Sequence, residues 1–254
     1  GRADMDDDPA ITEAELYDLR HRDDERDDVE FYVDRALEAD GPVLELACGT
    51  GRIHLPLLRA GVDADGVDLS ADRLDRLRAK ARAESLDSSV READMTALDP
   101  DRAYDLVICP YNSLQFARTL PDLRATLSGV HDALAPGGRF VFDVFVPDFD
   151  VICETYDEWE ETTVERAGRT YAVRSRATVT DPVEQLFRVE REALTPEGDV
   201  VLADAFELAM LPKRLVRAVV DDSPFASASV AGGFGGDPIG EGDGTQVWTL
   251  EREA

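Results

Sequence analysis

Between Val43 and Val146, apolar runs of strand length alternate five times with segments of other periodicity, and few folds accept that rhythm. Strand and helix taking turns argue for an α/β fold whose parallel strands are joined by crossover helices. The strands read as "VLEL" from Val43, "GVDADGVDLS" with an end near Asp68, "SSVREADM", "YDLVICP" and "GGRFVFDVFV". Apolar spacing predicts helices from Arg52 to Ala60, over "ADRLDRLRAKARAES" with Ser70 as its N-cap, and over "PDLRATLSGVHDALA".

The flanks follow other patterns. Ile11, Leu16, Tyr17 and Leu19 stand at helix-like spacing, and residues 25–39 place Val29, Tyr32, Val33 and Leu37 on one helical face before Gly41-Pro42 breaks it. After Pro147 the period falls to two, with turns at Ala167-Gly168 and Pro196-Glu197-Gly198, as in antiparallel hairpins. Helix spacing returns at "PKRLVRAVVDD", and "FASASV" and "TQVWTLERE" read as two last strands. The expected plan is one domain over 1–254: an N-terminal helical cap (1–40), a core (41–150), an antiparallel β insert (151–210), and a helix and strand pair (211–254) that complete the core.

"VLELACGTGR" runs a strand into Gly49-Thr50-Gly51 and then a helix, the general nucleotide-cradling arrangement. A dinucleotide fingerprint needs a third glycine for close helix–strand packing; here that position is His54. Glu45, just before the loop, would repel phosphate and attract a cation. S-adenosylmethionine, with a sulfonium, an ammonium and no phosphate, suits such a loop better than NAD. Asp68, 17 residues after Gly51, ends the second strand, where a carboxylate can accept from both ribose hydroxyls. Asp94-Met95 ends the third strand, so that an acid is available to the adenine amino group while Met95 or Leu69 packs on the ring. Cys109-Pro110 ends the fourth, and ligands of open α/β sheets bind at such carboxyl ends.

"VLELACGTGR", "GVDLS", "EADM", "YDLVICPYNSLQF" and "LAPGGRFVFDVFVPD" together resemble the class I S-adenosylmethionine-dependent methyltransferases, in particular the small-molecule branch of glycine, sarcosine and sugar N-methyltransferases. The likeness covers roughly residues 10–150; the last third is similar in layout. It implies a Rossmann-like, seven-stranded, mostly parallel sheet in the order 3-2-1-4-5-7-6 with its last strand antiparallel. It also implies contacts of Glu45, Ala47, Gly49 and Gly51 with the methionine moiety, of Asp68 and Leu69 with ribose and adenine, of Asp94 and Met95 with adenine, and of Cys109 with the methionine end. Tyr17 resembles a tyrosine that closes over the cofactor. Ala47 stands where many members have glycine.

The methyl acceptor is read less directly. Methyl transfer is an in-line displacement at an activated carbon, so alignment and desolvation are the main tasks and a base is needed only if the acceptor must lose a proton. Tyr111, Asn112 and Ser113 follow the fourth strand; with Cys109 in place of the polar residue of an Asn/Asp-Pro-Pro-Tyr motif, adenine and glutamine methylation by that grip are disfavoured. Asp143 interrupts an apolar strand and could bind an amine or act as base, or be satisfied by backbone donors at the sheet's edge. Phe145, Phe149, Tyr156 and Trp159 could line an acceptor pocket or serve as core. His21, His54 and His131 are solitary, with His54 read as packing or solvent-facing.

The expected function is therefore methyl transfer to an amine or hydroxyl of a small molecule. The alternatives are a non-catalytic S-adenosylmethionine-binding module and an NAD-dependent oxidoreductase, the latter opposed by His54 and Glu45. A net charge of −28 with only two lysines, Lys80 and Lys213, is the pattern of a halophile's surface and weighs against nucleic acid as a partner. Three isolated cysteines indicate neither a disulfide framework nor a metal site. No signal peptide is read and no apolar run reaches the ~20 residues of a membrane span; a cytoplasmic setting is expected. The sequence does not read on oligomeric state.

Overall fold

The structure is a computed structural model that describes residues 10–22 and 27–254. The parts of the expected cap at 1–9 and 23–26, including the first two residues of the helix expected over 25–39, lie outside the described residues. Helix α1 (Glu13–Arg20) starts on Thr12, whose hydroxyl accepts from the Glu15 N–H, and α2 (Asp28–Leu37) follows. The core then alternates: β1 (Val43–Leu46), α3 (His54–Arg59), β2 (Ala64–Asp68), α4 (Ala71–Ala83), β3 (Ser89–Glu92), β4 (Tyr104–Cys109), α5 (Leu120–Ala133) and β5 (Leu134–Phe145). Ser70 caps α4 by accepting from the Arg73 N–H, as its place before the apolar period required.

The remainder is α6 (Phe149–Thr155), β6 (Glu160–Arg166), β7 (Arg169–Asp181), β8 (Leu186–Leu194), β9 (Val200–Ala209), α7 (Lys213–Asp221), β10 (Ser227–Gly232) and β11 (Thr245–Glu251). Seven strands form the main sheet in the order β10-β11-β5-β4-β1-β2-β3. Strands β1 to β5 pair in parallel, and β11 enters antiparallel between β5 and β10. Counting core strands alone, this is the expected 3-2-1-4-5-7-6, a Rossmann-like sheet.

Period-2 alternation sends the strand side chains to two faces. Leu44, Leu46, Val107, Phe140 and Phe142 pack with Leu123, Leu127 and Val130 of α5 and Val216, Val219 and Val220 of α7. Val43, Leu106, Ile108 and Val141 pack on the other face with Tyr32 and Ala36 of α2 and Leu57 of α3. Within α2 the apolar face differs from the expected one at its end: Leu37 is exposed and Ala36 is buried in its place. The small side chain allows the helix to lie close to the sheet.

The second sheet is a meander, β6-β7-β8-β9, antiparallel throughout. Its first turn holds Ala167 and Gly168 at φ +49° and +76°, the two-residue geometry whose twist matches the flanking strands. The insert does not begin as a strand. Asp148 accepts from the N–H groups of Asp150 and Val151 and starts α6, so the sheet opens only at Glu160. Ile11, Leu16 and Leu19 of the N-terminal segment pack on Val164, Tyr171, Val173 and Ala193 of this sheet. Helix α1 thereby joins the insert to the core. Among the described residues, no helix is long and apolar enough to cross a membrane.

Candidate functional site

The loop after β1 turns on three residues of positive φ: Ala47 (+54°), Gly49 (+53°) and Gly51 (+91°). Its Gly49 N–H donates to Asp68 Oδ2 at 2.9 Å, while Asp68 Oδ1 accepts from the Ser70 N–H at 2.8 Å. One carboxylate thus ties together the loops that leave β1 and β2, and each of its oxygens keeps capacity for a further donor. The Thr50 hydroxyl donates to Asp18 of α1 at 2.6 Å, and Arg76 and Lys80 of α4 pair with the same carboxylate. Although burial opposes its charge, these three donors hold the Asp18 carboxyl below its usual range. Arg73 of α4 grips Glu13 of α1 bidentately at 2.6 and 2.9 Å. Helix α1 is strapped across the glycine loop by these pairs.

A cavity of about 700 Å³ opens at these strand ends, lined on one side by Tyr17, Glu45, Ala47, Gly49, Asp68, Leu69 and Met95. Leu69, 65% exposed, lies in this lining beside Met95 as an apolar platform for a flat ring. The Tyr17 ring lies 4.4 Å from His21 and 6.4 Å from Tyr111, and the Arg73 guanidinium sits 5.5 Å over it. These residues fit an adenosyl sulfonium ligand: a carboxylate for vicinal hydroxyls, an apolar ring platform, an acid near the loop, and no third glycine of the dinucleotide fingerprint.

Position 54 has a task that spacing did not disclose. His54 is fully buried and its Nδ1 lies 3.1 Å from Glu45 Oε2. Burial raises the Glu45 carboxyl, and the His54 hydrogen bond opposes that rise. The room for the imidazole comes from Gly66, where a Cβ would meet Cys48 Sγ at 2.8 Å and His54 Cε1 at 3.0 Å. The signal was present as a glycine inside β2, but its partner is visible only in three dimensions.

Four expected positions lie differently. Gly51 does not line the cavity: a Cβ there would meet Leu77 Cγ at 2.9 Å and Leu55 Cγ at 3.0 Å, so it serves helix packing. The Cys109 side chain is buried in the core, and Pro110 takes its place in the lining. Asp94 is exposed; its Oδ1 accepts from the N–H and hydroxyl of Thr96, both at 2.8 Å, while its neighbours Ala93 and Met95 line the cavity. Asp143 sits on an interior strand, between β4 and β11, and not at an edge. It is outside the lining and accepts from Tyr32 Oη (2.7 Å), Tyr111 N (2.8 Å) and Asn112 N (3.3 Å). Burial raises its carboxyl against these donors. Asp143 therefore holds the left-handed pair Tyr111 (φ +59°) and Asn112 (φ +60°) and positions them.

Tyr111, Asn112 and Ser113 do line the cavity. Of the four aromatics weighed for an acceptor pocket, only Phe145 does. Phe149 is exposed, Tyr156 packs on Phe187, and Trp159 lies under Arg174 and Arg176. The far wall comes instead from Phe116 and from two strands of the insert, with Phe187, Val189 and Arg191 on β8 and Asp204, Phe206 and Leu208 on β9. Alternation marked these as one face of a hairpin; nothing in it said that the face covers the glycine loop.

Arg52 completes the site. Its guanidinium grips Asp28 of α2 at 2.6 and 2.9 Å and lies 4.7 Å over the Tyr111 ring. Burial disfavours the charge, yet the Asp28 hydrogen bonds and Tyr17 hold Arg52 more firmly protonated than usual. Among the described residues, no cluster of three or more His, Cys, Asp or Glu could hold a metal ion.

Comparison with known proteins agrees with this geometry. Residues 43–138 match the family model described as a methyltransferase domain. The chain is 32% identical over 117 residues to YqeM of Bacillus subtilis (strain 168), named as a methyltransferase, covering 44% of this chain and 46% of that protein. It is 29% identical over 132 residues to the dTDP-3-amino-3,4,6-trideoxy-alpha-D-glucopyranose N,N-dimethyltransferase of Streptomyces venezuelae, covering 51% of this chain and 52% of that one. The chain thus matches about half the length of these relatives. An S-adenosylmethionine-dependent methyltransferase from Clostridium acetobutylicum ATCC 824 superposes with a TM-score of 0.75 over 95% of this chain and 98% of its own, at 17% identity. The fold is that of the Rossmann-like methyltransferases.

Proposed function

We propose that this chain is an S-adenosylmethionine-dependent methyltransferase that methylates an amine or hydroxyl of a small molecule by in-line transfer. The observation that carries this reading is the shape of the cavity at the strand ends. One wall holds the glycine loop, Asp68, Leu69 and Met95, and the opposite wall, from β8 and β9, is lined mainly by apolar and aromatic side chains. Two ligands can share that space. The methyltransferase-domain match supports the donor half, and the relative named for an amino-sugar N,N-dimethyltransferase supports an amine over a hydroxyl.

Bound S-adenosylmethionine would supply an electrophilic methyl group. Asp68 would accept from the ribose hydroxyls and Leu69 and Met95 would pack on the adenine. Glu45, oriented by His54, would face the cationic end, with Ala47 and Gly49 along the methionine moiety and Tyr17 closing from α1. The insert wall excludes water and presents the acceptor, while Asp143 fixes the Tyr111-Asn112 turn between the two halves. Alignment and desolvation are then the protein's contribution. The free cysteines, two buried and one exposed, suit a reducing cytoplasm, and the charge of −28 suits concentrated salt.

Titration calorimetry in molar salt tests the donor site. S-adenosylhomocysteine is expected to bind and NAD is not; the reverse result would return the chain to the oxidoreductases. Asp68→Ala is expected to weaken S-adenosylhomocysteine about tenfold or more, the loss of a charge-assisted hydrogen bond of about 1.5–3 kcal/mol. Unchanged affinity removes Asp68 from the ribose. S-adenosylhomocysteine release on screening amine and hydroxyl metabolites separates the enzyme from a binding module, which would release none.

A further inference from the structure

The insert sheet carries cross-strand acid–base pairs on both faces, and they are not built alike. On the face away from the cavity, Arg174 meets Glu192 at 2.6 Å and Arg176 meets Glu190 at 2.7 Å. On the cavity face, Arg191 and Asp204 are directly paired in register, yet Arg191 Nη1 and Asp204 Oδ2 stand 3.9 Å apart. That is too far for a hydrogen bond. Arg191 Nε and Asp204 Oδ1 are both buried and without a partner among the described residues.

A buried charge pair with unmet polar atoms is destabilising where it has no other use. Burial lowers the Arg191 guanidinium's proton affinity and raises the Asp204 carboxyl, and the charge of Arg20, which lines the same cavity from α1, adds to the pressure on Arg191. The surroundings are apolar: Phe187 and Val189 on β8, and Phe206 and Leu208 on β9, with the Arg191 guanidinium 5.0 Å over the Phe206 ring. Glu13, which also acts on both groups, is already gripped by Arg73, so Arg191 and Arg20 stand against Asp204 and this corner lacks an anion. A planar fork facing a single missing charge matches a carboxylate; a dianionic phosphate would meet the standing charge of Asp204.

We propose that Arg191, flanked by Asp204 and Arg20, is the specificity-determining anion site of the acceptor pocket, and that the acceptor is a small molecule with a carboxylate on an apolar body. The open Arg191–Asp204 pair closes on that ligand: the carboxylate takes the guanidinium's unused donors, and Asp204 is left to accept from the ligand's own donor. This rests on the methyltransferase reading, from which it is separable by experiment.

The probes are benzoate and benzamide, equal in shape and different in charge, at fixed ionic strength with the protein saturated by S-adenosylhomocysteine. Benzoate is expected to raise the melting temperature more than benzamide, and phenyl phosphate no more than benzamide. Arg191→Met is expected to weaken benzoate about tenfold or more and to leave S-adenosylhomocysteine affinity within about twofold. Equal effects of benzoate and benzamide, or a difference that survives Arg191→Met, overturn the proposal. So does a large loss of S-adenosylhomocysteine affinity in that variant, which would give Arg191 to the donor's own carboxylate, and so does phenyl phosphate outperforming benzoate. The double variant R191M/D204L guards against a folding defect: a melting temperature at or above that of the ligand-free wild type supports a pair kept for binding, and a clear fall marks a structural pair and overturns the proposal. Should S-adenosylhomocysteine not bind the wild type, the comparison is run without it, so the two readings fail separately.

Discussion

Asp28→Ala is expected to destabilise the protein by about 3–5 kcal/mol, because it removes one partner of a buried ion pair and leaves the other charge behind. Asp28 is fully buried at the start of α2, and Arg52 is 12% exposed in its side chain. The two are joined by parallel hydrogen bonds of 2.6 and 2.9 Å, the geometry in which a guanidinium and a carboxylate interact most strongly. Removing both charges is expected to cost far less, so Asp28→Leu with Arg52→Met is the control. Chemical denaturation of the single and double variants measures the difference directly. A single variant within about 1 kcal/mol of wild type would show that Arg52 finds water or another partner through the cavity.

Gly51→Ala is the second large effect, at about 2–5 kcal/mol, from two sources that add at one atom. The backbone stands at φ +91°, where a side chain costs about 1–2 kcal/mol, and the new Cβ would press Leu77 and Leu55 at 3.0 Å or less, an overpacking of about 1–3 kcal/mol. Gly49→Ala separates the two causes. Gly49 has φ +53°, but its Cβ would find nothing nearer than 3.9 Å, so only the backbone cost remains and the loss should be about half or less. Denaturant midpoints at constant slope are the measurement. Equal losses in the two variants would mean that α4 moves aside without cost.

These two residues show how far spacing reaches. The glycines in "GTG" announce a backbone that side chains disfavour, and that is a local property. Which of the two lines the cavity and which approaches a helix depends on α4, whose Leu77 lies 26 residues further on. In the same way His54 could be recognised as the missing third glycine, but not as the residue that orients Glu45, since that needs Gly66 of the neighbouring strand. Asp143 was recognisable as a charge inside an apolar strand. Its partners, Tyr32 and the Tyr111-Asn112 turn, come from 111 and about 32 residues away.

The sequence by itself determined most of the elements, their order and much of the glycine-loop wall of the cavity, with Gly51, Asp94 and Cys109 outside the lining. Those features rest on local causes: apolar period, N-caps such as Ser70, glycines at positive φ, and carboxylates at strand ends, all within a few residues of the element they mark. Only the tertiary structure decided the opposite wall. Phe187, Arg191, Asp204 and Phe206 read as one face of an unremarkable hairpin until α1 and the meander fold it over the glycine loop. Strand alternation says which side chains share a face; what that face meets is set by packing between segments more than a hundred residues apart.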